Sequence, residues 1–232
     1  MEATKLLKPT QFAEHSLLTA ILEGKYPPGA TLPGERALAR ELGVTRPTLR
    51  ETLHRLAAEG WITIHHGKAT IVNDYWKQGG LGLLSTMAKY GQYLPKDFIS
   101  HLLELRVVLI PSVAAIACER NPKALADHLA QAQKLEDDPE AFSRYDWQLQ
   151  ELMARASDNC TFPMILNDFG PLFRSLARTY FSLARSRKAS RKYYGKLNQA
   201  MEQGPKAVQD VARGAMEESI AIWKDLHQQE GG

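Results

Sequence analysis

Two short helical patterns meet at Gly43-Val44, and a glycine-containing hairpin pattern follows within about two dozen residues. That arrangement constrains the first third of the chain more than any other feature. Leu32 to Leu42 reads as a helix, with Pro33 suited to its start and Gly43 to its stop. After Val44 a further helix begins. Thr45 can cap it, and Pro47 falls in its first turn, where a missing N–H costs little. Leu49, Leu53, Leu56 and Ala57 form its apolar stripe, and Gly60 ends it. Upstream, residues 9–24 carry Phe12, Leu17, Leu18, Ile21 and Leu22 at near-helical spacing, with Thr10 available as a cap, and Tyr26-Pro27-Pro28-Gly29 breaks the pattern. Downstream, Trp61-Ile62-Thr63-Ile64 and Ala69-Thr70-Ile71-Val72 flank His65-His66-Gly67-Lys68, a hairpin signal. Helix, helix, helix and two-stranded wing is the order of a winged helix-turn-helix.

The second helix of such a motif is free to enter a major groove. Its first turn presents Thr45, Arg46, Thr48 and Arg50, while Leu49 and Leu53 face the other way. Hydroxyls and unpaired amides at a helix N-terminus suit phosphate, and guanidinium forks suit guanine edges. Arg36 on the preceding helix can add a contact, and His66-Gly67-Lys68 at the hairpin tip is small and cationic, as a wing entering a narrow groove should be.

Residues 75–80, ending in Gly79-Gly80, read as a linker between a DNA-binding domain over 1–74 and a second domain over 81–232. No strand pattern recurs beyond residue 81. Helical stretches are expected near 81–91, 95–119, 122–136, 139–157, 162–183, 187–203 and 205–228, with Pro111 expected to kink the second. This portion reads as an all-α helical bundle large enough for its own core. The 232 residues are 44% hydrophobic and 24% charged, which argues against disorder. No apolar run reaches the roughly 18 residues of a membrane span, and no signal peptide is evident. Cys118 and Cys160 lack C-x-x-C spacing and read as buried, reduced thiols of a cytosolic protein. Because the net charge is only +3, the placement of charges has to decide whether the chain binds nucleic acid. There is no glycine-rich phosphate loop, no G-x-S-x-G and no paired His/Cys set, so an enzyme is not expected.

Leu32-Pro33-Gly34-Glu35-Arg36-Ala37-Leu38-Ala39, Gly43-Val44-Thr45-Arg46-Pro47-Thr48-Leu49-Arg50-Glu51-Thr52-Leu53 and Gly60-Trp61-Ile62 resemble the GntR family of bacterial transcription regulators. The finer likeness is to a fatty-acid-responsive branch of that family. It rests on Phe12-Ala13-Glu14, Tyr26-Pro27-Pro28-Gly29, the run Gly60 to Lys68 and Val72-Asn73-Asp74-Tyr75-Trp76. A thinner likeness continues through Leu102 to Arg106, Tyr145-Asp146 and Ser219 to Trp223. The resemblance implies a cytoplasmic bacterial regulator that binds a palindromic operator on double-stranded DNA as a homodimer. Its DNA contacts would be Arg36, Thr45, Arg46, Thr48, Arg50, His66 and Gly67. Its effector would be a long-chain acyl-CoA that releases the operator, with Arg106, Tyr180, Ser219 and Trp223 as ligand residues. Fatty acid degradation genes would be repressed and synthesis genes activated. No cofactor, metal or membrane partner is implied. A GntR-family regulator of another small metabolite, such as an organic acid, is the alternative.

Two departures from that branch stand out. Pro47 replaces a hydroxyl residue, and Gly214-Ala215-Met216-Glu217 replaces an aromatic-glycine-histidine stretch beside the ligand cleft. Many helical effector domains of the family hold a metal through one Asp and three His. Here Asp146 matches the Asp, but Gln150, Gly195 and Glu217 stand near the histidine positions, so no metal is expected and Asp146 should hydrogen-bond inside the bundle. Arg106 lies in an otherwise apolar helix and needs either a salt-bridge partner or a ligand. Trp223 serves either packing or ligand. Between Asp168 and Glu202 there are eight bases and no acid, namely Arg174, Arg178, Arg185, Arg187, Lys188, Arg191, Lys192 and Lys196. These form either a solvated face or a funnel for a phosphorylated ligand. Tyr180, Phe181, Tyr193 and Tyr194 are interleaved among them.

Overall fold

The computed structural model describes residues 8–65, 67–95 and 97–229. The chain divides between Leu94 and Pro95 into two compact units.

In the first unit, α1 (Pro9–Leu22), α2 (Glu35–Leu42) and α3 (Arg46–Ala58) precede a hairpin of β1 (Ile62–Thr63) and β2 (Ile71–Val72). The strands are antiparallel, with Ile62 opposite Val72 and Thr63 opposite Ile71. Each strand is shorter than its β-branched run, and β2 is shared with another segment. Thr31 bridges Ile71, Leu32 N–H donates to Thr70 C=O at 2.8 Å, and Val72 N–H donates to Ala30 C=O at 2.9 Å. Leu17, Leu18, Leu49, Leu56, Trp61 and Ile62 form the core of this unit. Thr45 caps α3, accepting from Thr48 N–H at 3.3 Å, and Gly43 closes α2 in the left-handed conformation at φ 67°. Thr10 does not cap α1. The helix starts two residues earlier than that cap would place it, at Pro9, whose fixed φ suits the first helical position, and Lys8 is the capping residue.

The stretch expected as a linker contains α4 (Tyr75–Gln78), followed by α5 (Leu81–Met87) and a 3-10 segment over Ala88–Tyr93. These residues pack on the winged helix. Tyr75 lies 5.1 Å from Trp61 between ring centroids, and His15 stacks on Tyr90 at 5.5 Å. Glu59 carboxylate accepts from Thr86 Oγ1 at 2.9 Å and from Trp61 Nε1 at 3.2 Å. Tyr90 is buried, and burial next to Glu14 and Glu59 raises its phenol to about 12.

The second unit is helical throughout its described residues: α6 (Phe98–Arg120), α7 (Pro122–Leu129), a 3-10 segment (Ala130–Lys134), α8 (Pro139–Ala156), α9 (Thr161–Ser182), α10 (Ala184–Met201) and α11 (Pro205–Gln229). α6 runs on through Pro111, and α9 through Pro171. By length and composition α6 could cross a membrane. In the fold it packs against α11 and α8. The core gathers Ala114, Leu125, Phe142, Leu149, Tyr194, Leu197 and Val208.

Candidate DNA interface and effector cavity

The residues that the sequence assigns to DNA sit around the junction of α2 and α3. Capping fixes Thr45 against Thr48, whose hydroxyls lie 2.8 Å apart. Arg46 opens α3, and Arg50 lies one turn further on the same exposed face. Both reach toward Glu35 at the start of α2. Arg50 Nε donates to Glu35 Oε2 at 2.7 Å, and Arg46 Nη2 stands 3.9 Å from the same oxygen. Arg36 is exposed on the first turn of α2. Gly67 occupies the hairpin turn at φ 70°, beside exposed Lys68. His66 lies outside the described residues. The structure thus brings Thr45, Arg46, Thr48 and Arg50 together on one helix end. Glu35's part has no local signature, although an acid at the first position of α2 is itself favoured by the helix dipole.

In the second unit, Arg106, Tyr180, Ser219 and Trp223 all line one cavity of about 150 Å³. They come from α6, α9 and α11, which no local pattern links. Apolar side chains make up most of the wall. Phe162, Ile165, Leu166 and Phe169 of α9 are among them, at spacings that the sequence alone shows only as an amphipathic helix. Ala215 and Met216, the departure noted above, also line it. Ser219 Oγ donates to Met216 C=O at 2.7 Å.

The polar part of the wall is small and specific. Asp146 is buried at the centre, accepting from Tyr194 O–H at 3.0 Å and from Gln150 Nε2 at 2.7 Å. Burial raises its carboxyl above the usual range. The Arg106 charge and the two hydrogen bonds pull the other way without overcoming it. Arg106 Nε and the Tyr193 hydroxyl are buried on this wall with no hydrogen-bond partner among the described residues. Asp146 acts on Arg106 through charge but does not accept from that Nε. Burial also lifts the Tyr180 phenol to about 12 and the Tyr193 phenol further. Gln150, near which the resemblance would place a metal-binding histidine, is a donor to Asp146. Among the described residues, no three His, Cys, Asp or Glu side chains gather as a metal would require.

The basic stretch divides. Arg187 pairs with Asp137 at 2.7 Å, and Arg185 pairs with Asp225 at 3.1 Å. Arg191 donates to the carbonyls of Ala132 and Leu135 and lies over the Phe142 ring. Those three staple the bundle. Arg174, Arg178, Lys188, Lys192 and Lys196 are exposed. Of the interleaved aromatics, Tyr180, Phe181 and Tyr193 line the cavity, while Tyr194 is fully buried as the partner of Asp146.

Comparison with known proteins also gives two parts, but they meet at residue 72, so that α4, α5 and the 3-10 segment, which the structure groups with the winged helix, fall in the C-terminal match. Residues 9–72 match the family described as bacterial regulatory proteins, gntR family, and residues 73–230 match the FadR C-terminal domain. A fatty acid metabolism regulator protein of Pectobacterium carotovorum is 38% identical over 223 residues, covering 96% of this chain and 93% of that one. One from Shewanella pealeana is 38% identical, covering 94% and 92%. Both relatives are named as regulators, not enzymes. Among solved structures, a Listeria monocytogenes protein, Lar, described as controlling expression of the agr system, shares the fold with a TM-score of 0.61 at 17% identity, covering 97% of this chain and 99% of that one. The chain therefore belongs to the GntR family of bacterial regulatory proteins and carries the FadR type of C-terminal domain.

Proposed function

We propose that the protein is a cytoplasmic regulator of fatty acid metabolism that binds a palindromic operator as a homodimer and releases it on binding a long-chain acyl-CoA. In this reading it represses degradation genes and activates synthesis genes. The observation that carries the ligand class is the cavity wall: hydrocarbon almost throughout, with a buried guanidinium Nε–H and a buried phenol left to find an oxygen. An acyl tail suits the apolar part. A thioester carbonyl is an acceptor for Arg106 and Tyr193, whose pairing inside a low-dielectric wall stabilises the complex far more than it would in water. A small organic acid leaves most of that apolar surface unused, which weighs against the alternative effector.

The cavity as it stands, about 150 Å³, is smaller than the roughly 300–1,000 Å³ of ordinary ligand sites. An acyl chain therefore has to part the lining helices to enter. That gives effector binding a structural consequence, because the liganded bundle differs from the unliganded one. The ligand releases DNA only in so far as it prefers the arrangement that binds DNA poorly. A coupling of about 1–3 kcal/mol changes DNA affinity roughly 5- to 150-fold.

The test is a fluorescence-anisotropy titration of a palindromic operator duplex of the kind bound by FadR-type relatives, with and without oleoyl-CoA, using free CoA and oleate as controls. Sequence-dependent binding reversed by the acyl-CoA alone is the expected result. Operator binding indifferent to every acyl-CoA retains the DNA interface and removes the effector assignment.

A further inference from the structure

Glu35 is a carboxylate in the middle of a surface that has to meet a polyanion, and it hydrogen-bonds one of that surface's guanidinium groups while a second stands within ion-pair range. Its Oε2 accepts from Arg50 Nε at 2.7 Å and stands 3.9 Å from Arg46 Nη2. All three side chains are substantially exposed, 57% for each arginine and 38% for the glutamate. Exposed ion pairs of this kind contribute little to stability, so folding does not account for the arrangement. Its effect on recognition is larger. An arginine tied through Nε keeps its Nη1 and Nη2 amines free as a forward-facing fork, the arrangement that reads the O6 and N7 acceptors of guanine. The negative charge also lowers the local attraction for phosphate, which any sequence offers equally.

We propose that Glu35 is a specificity-determining positioning residue of the DNA interface. It pre-orients Arg50, and through the shared oxygen Arg46, while suppressing binding to non-target phosphates. Base-edge hydrogen bonds made by a held fork are gained only on the right sequence. Phosphate attraction cancelled by a fixed carboxylate is lost on every sequence. Both effects widen the gap between operator and bulk DNA. The inference rests on the DNA-binding reading of α3.

The experiment uses the full chain and a duplex selected from a randomised library by the wild-type protein, with a scrambled duplex of the same composition. Glu35→Gln keeps the side-chain length and removes the charge. Glu35→Ala removes the acceptor as well. Dissociation constants are measured for both duplexes across a salt series, and far-UV circular dichroism and thermal midpoint check that folding is unchanged. For Glu35→Gln we expect tighter binding to the scrambled duplex by roughly fivefold, and a steeper salt dependence by up to ~0.9 in log–log slope. Affinity for the selected duplex should hardly change, so the specificity ratio falls. Glu35→Ala should lower the ratio further, and selection repeated with it should give relaxed preference at the bases that Arg50 and Arg46 read. Equal gains on both duplexes, leaving the ratio constant in both variants, would overturn the proposal by reducing Glu35 to a bulk charge. A wild-type protein that enriches no sequence at all would overturn the DNA-binding reading and this inference with it.

Discussion

The two units solve opposite problems with polar groups. In the winged helix the functional side chains stand in water, and their geometry comes from devices on the backbone: a threonine cap, a proline in the first turn, a left-handed glycine. In the bundle the polar groups are few and buried, and their geometry comes from packing among α6, α8, α9, α10 and α11. A surface site can therefore be altered at little cost in stability. A site inside a core couples binding to the packing around it, which is what a sensor requires.

The largest expected effect comes from attacking the bundle's packing. Phe142 is fully buried between Phe181, Tyr194 and the Arg191 guanidinium. Phe142→Ala should destabilise the C-terminal unit by about 3–5 kcal/mol, read in chemical denaturation, and abolish acyl-CoA binding with it. An equally stable variant would break the contrast between a packed and a surface site. Next, Arg50→Ala should weaken operator binding by about 1–3 kcal/mol with no change in denaturation midpoint or in acyl-CoA affinity. Arg106→Ala should do the reverse, lowering acyl-CoA affinity while leaving operator binding in the absence of ligand as it was.

A smaller effect separates two adjacent glycines. A Cβ at Gly79 would collide with the Tyr75 carbonyl that closes α4, whereas one at Gly80 meets nothing within 4 Å. Gly79→Ala should lower the thermal midpoint of the winged unit, and Gly80→Ala should leave it within about 0.5 kcal/mol of wild type.

The smallest effects are in pH dependence, and they run in opposite directions. Burial lowers the His128 pKa below its ordinary 6.5, so the unfolded chain binds more protons and stability is lost as pH falls through about 6.5. Burial raises the Asp146 pKa above 3.8, so the folded chain binds more protons, and that residue's contribution is lost as pH rises from about 4 through the elevated value. Asp146→Asn should remove the second dependence, visible as a flatter stability profile on the alkaline side of pH 4 in denaturant titrations. His128→Phe should flatten the acid side near 6.5.

The same contrast explains what could be read in advance. The winged helix was legible nearly residue by residue, because caps, turns and hairpins are local and leave local signatures. The lapses there were non-local or fine-scale: the backbone of residues 29–32 adding to β2, the first helix starting on Pro9 rather than behind Thr10, and Glu35 reaching across to a different helix. In the bundle the helices themselves were legible from period and proline punctuation, apart from boundaries such as Ala184 for α10. Which faces meet was not. Asp146 and Gln150 are one helical turn apart, so their contact could have been anticipated, but Tyr194 joins them from 48 residues away. The basic stretch shows the same limit. Pairing with Asp137 and Asp225 and with backbone carbonyls takes three of its cations, and each partner lies on another part of the chain.

If cavity and DNA surface are thermodynamically coupled, linkage makes that coupling visible from the ligand side. Oleoyl-CoA affinity should be measured by calorimetry with and without a saturating operator duplex. Coupling requires DNA to weaken acyl-CoA binding by the same factor by which acyl-CoA weakens DNA binding, within the roughly 5- to 150-fold range of ordinary allostery. An acyl-CoA affinity that is unchanged by saturating operator would contradict it.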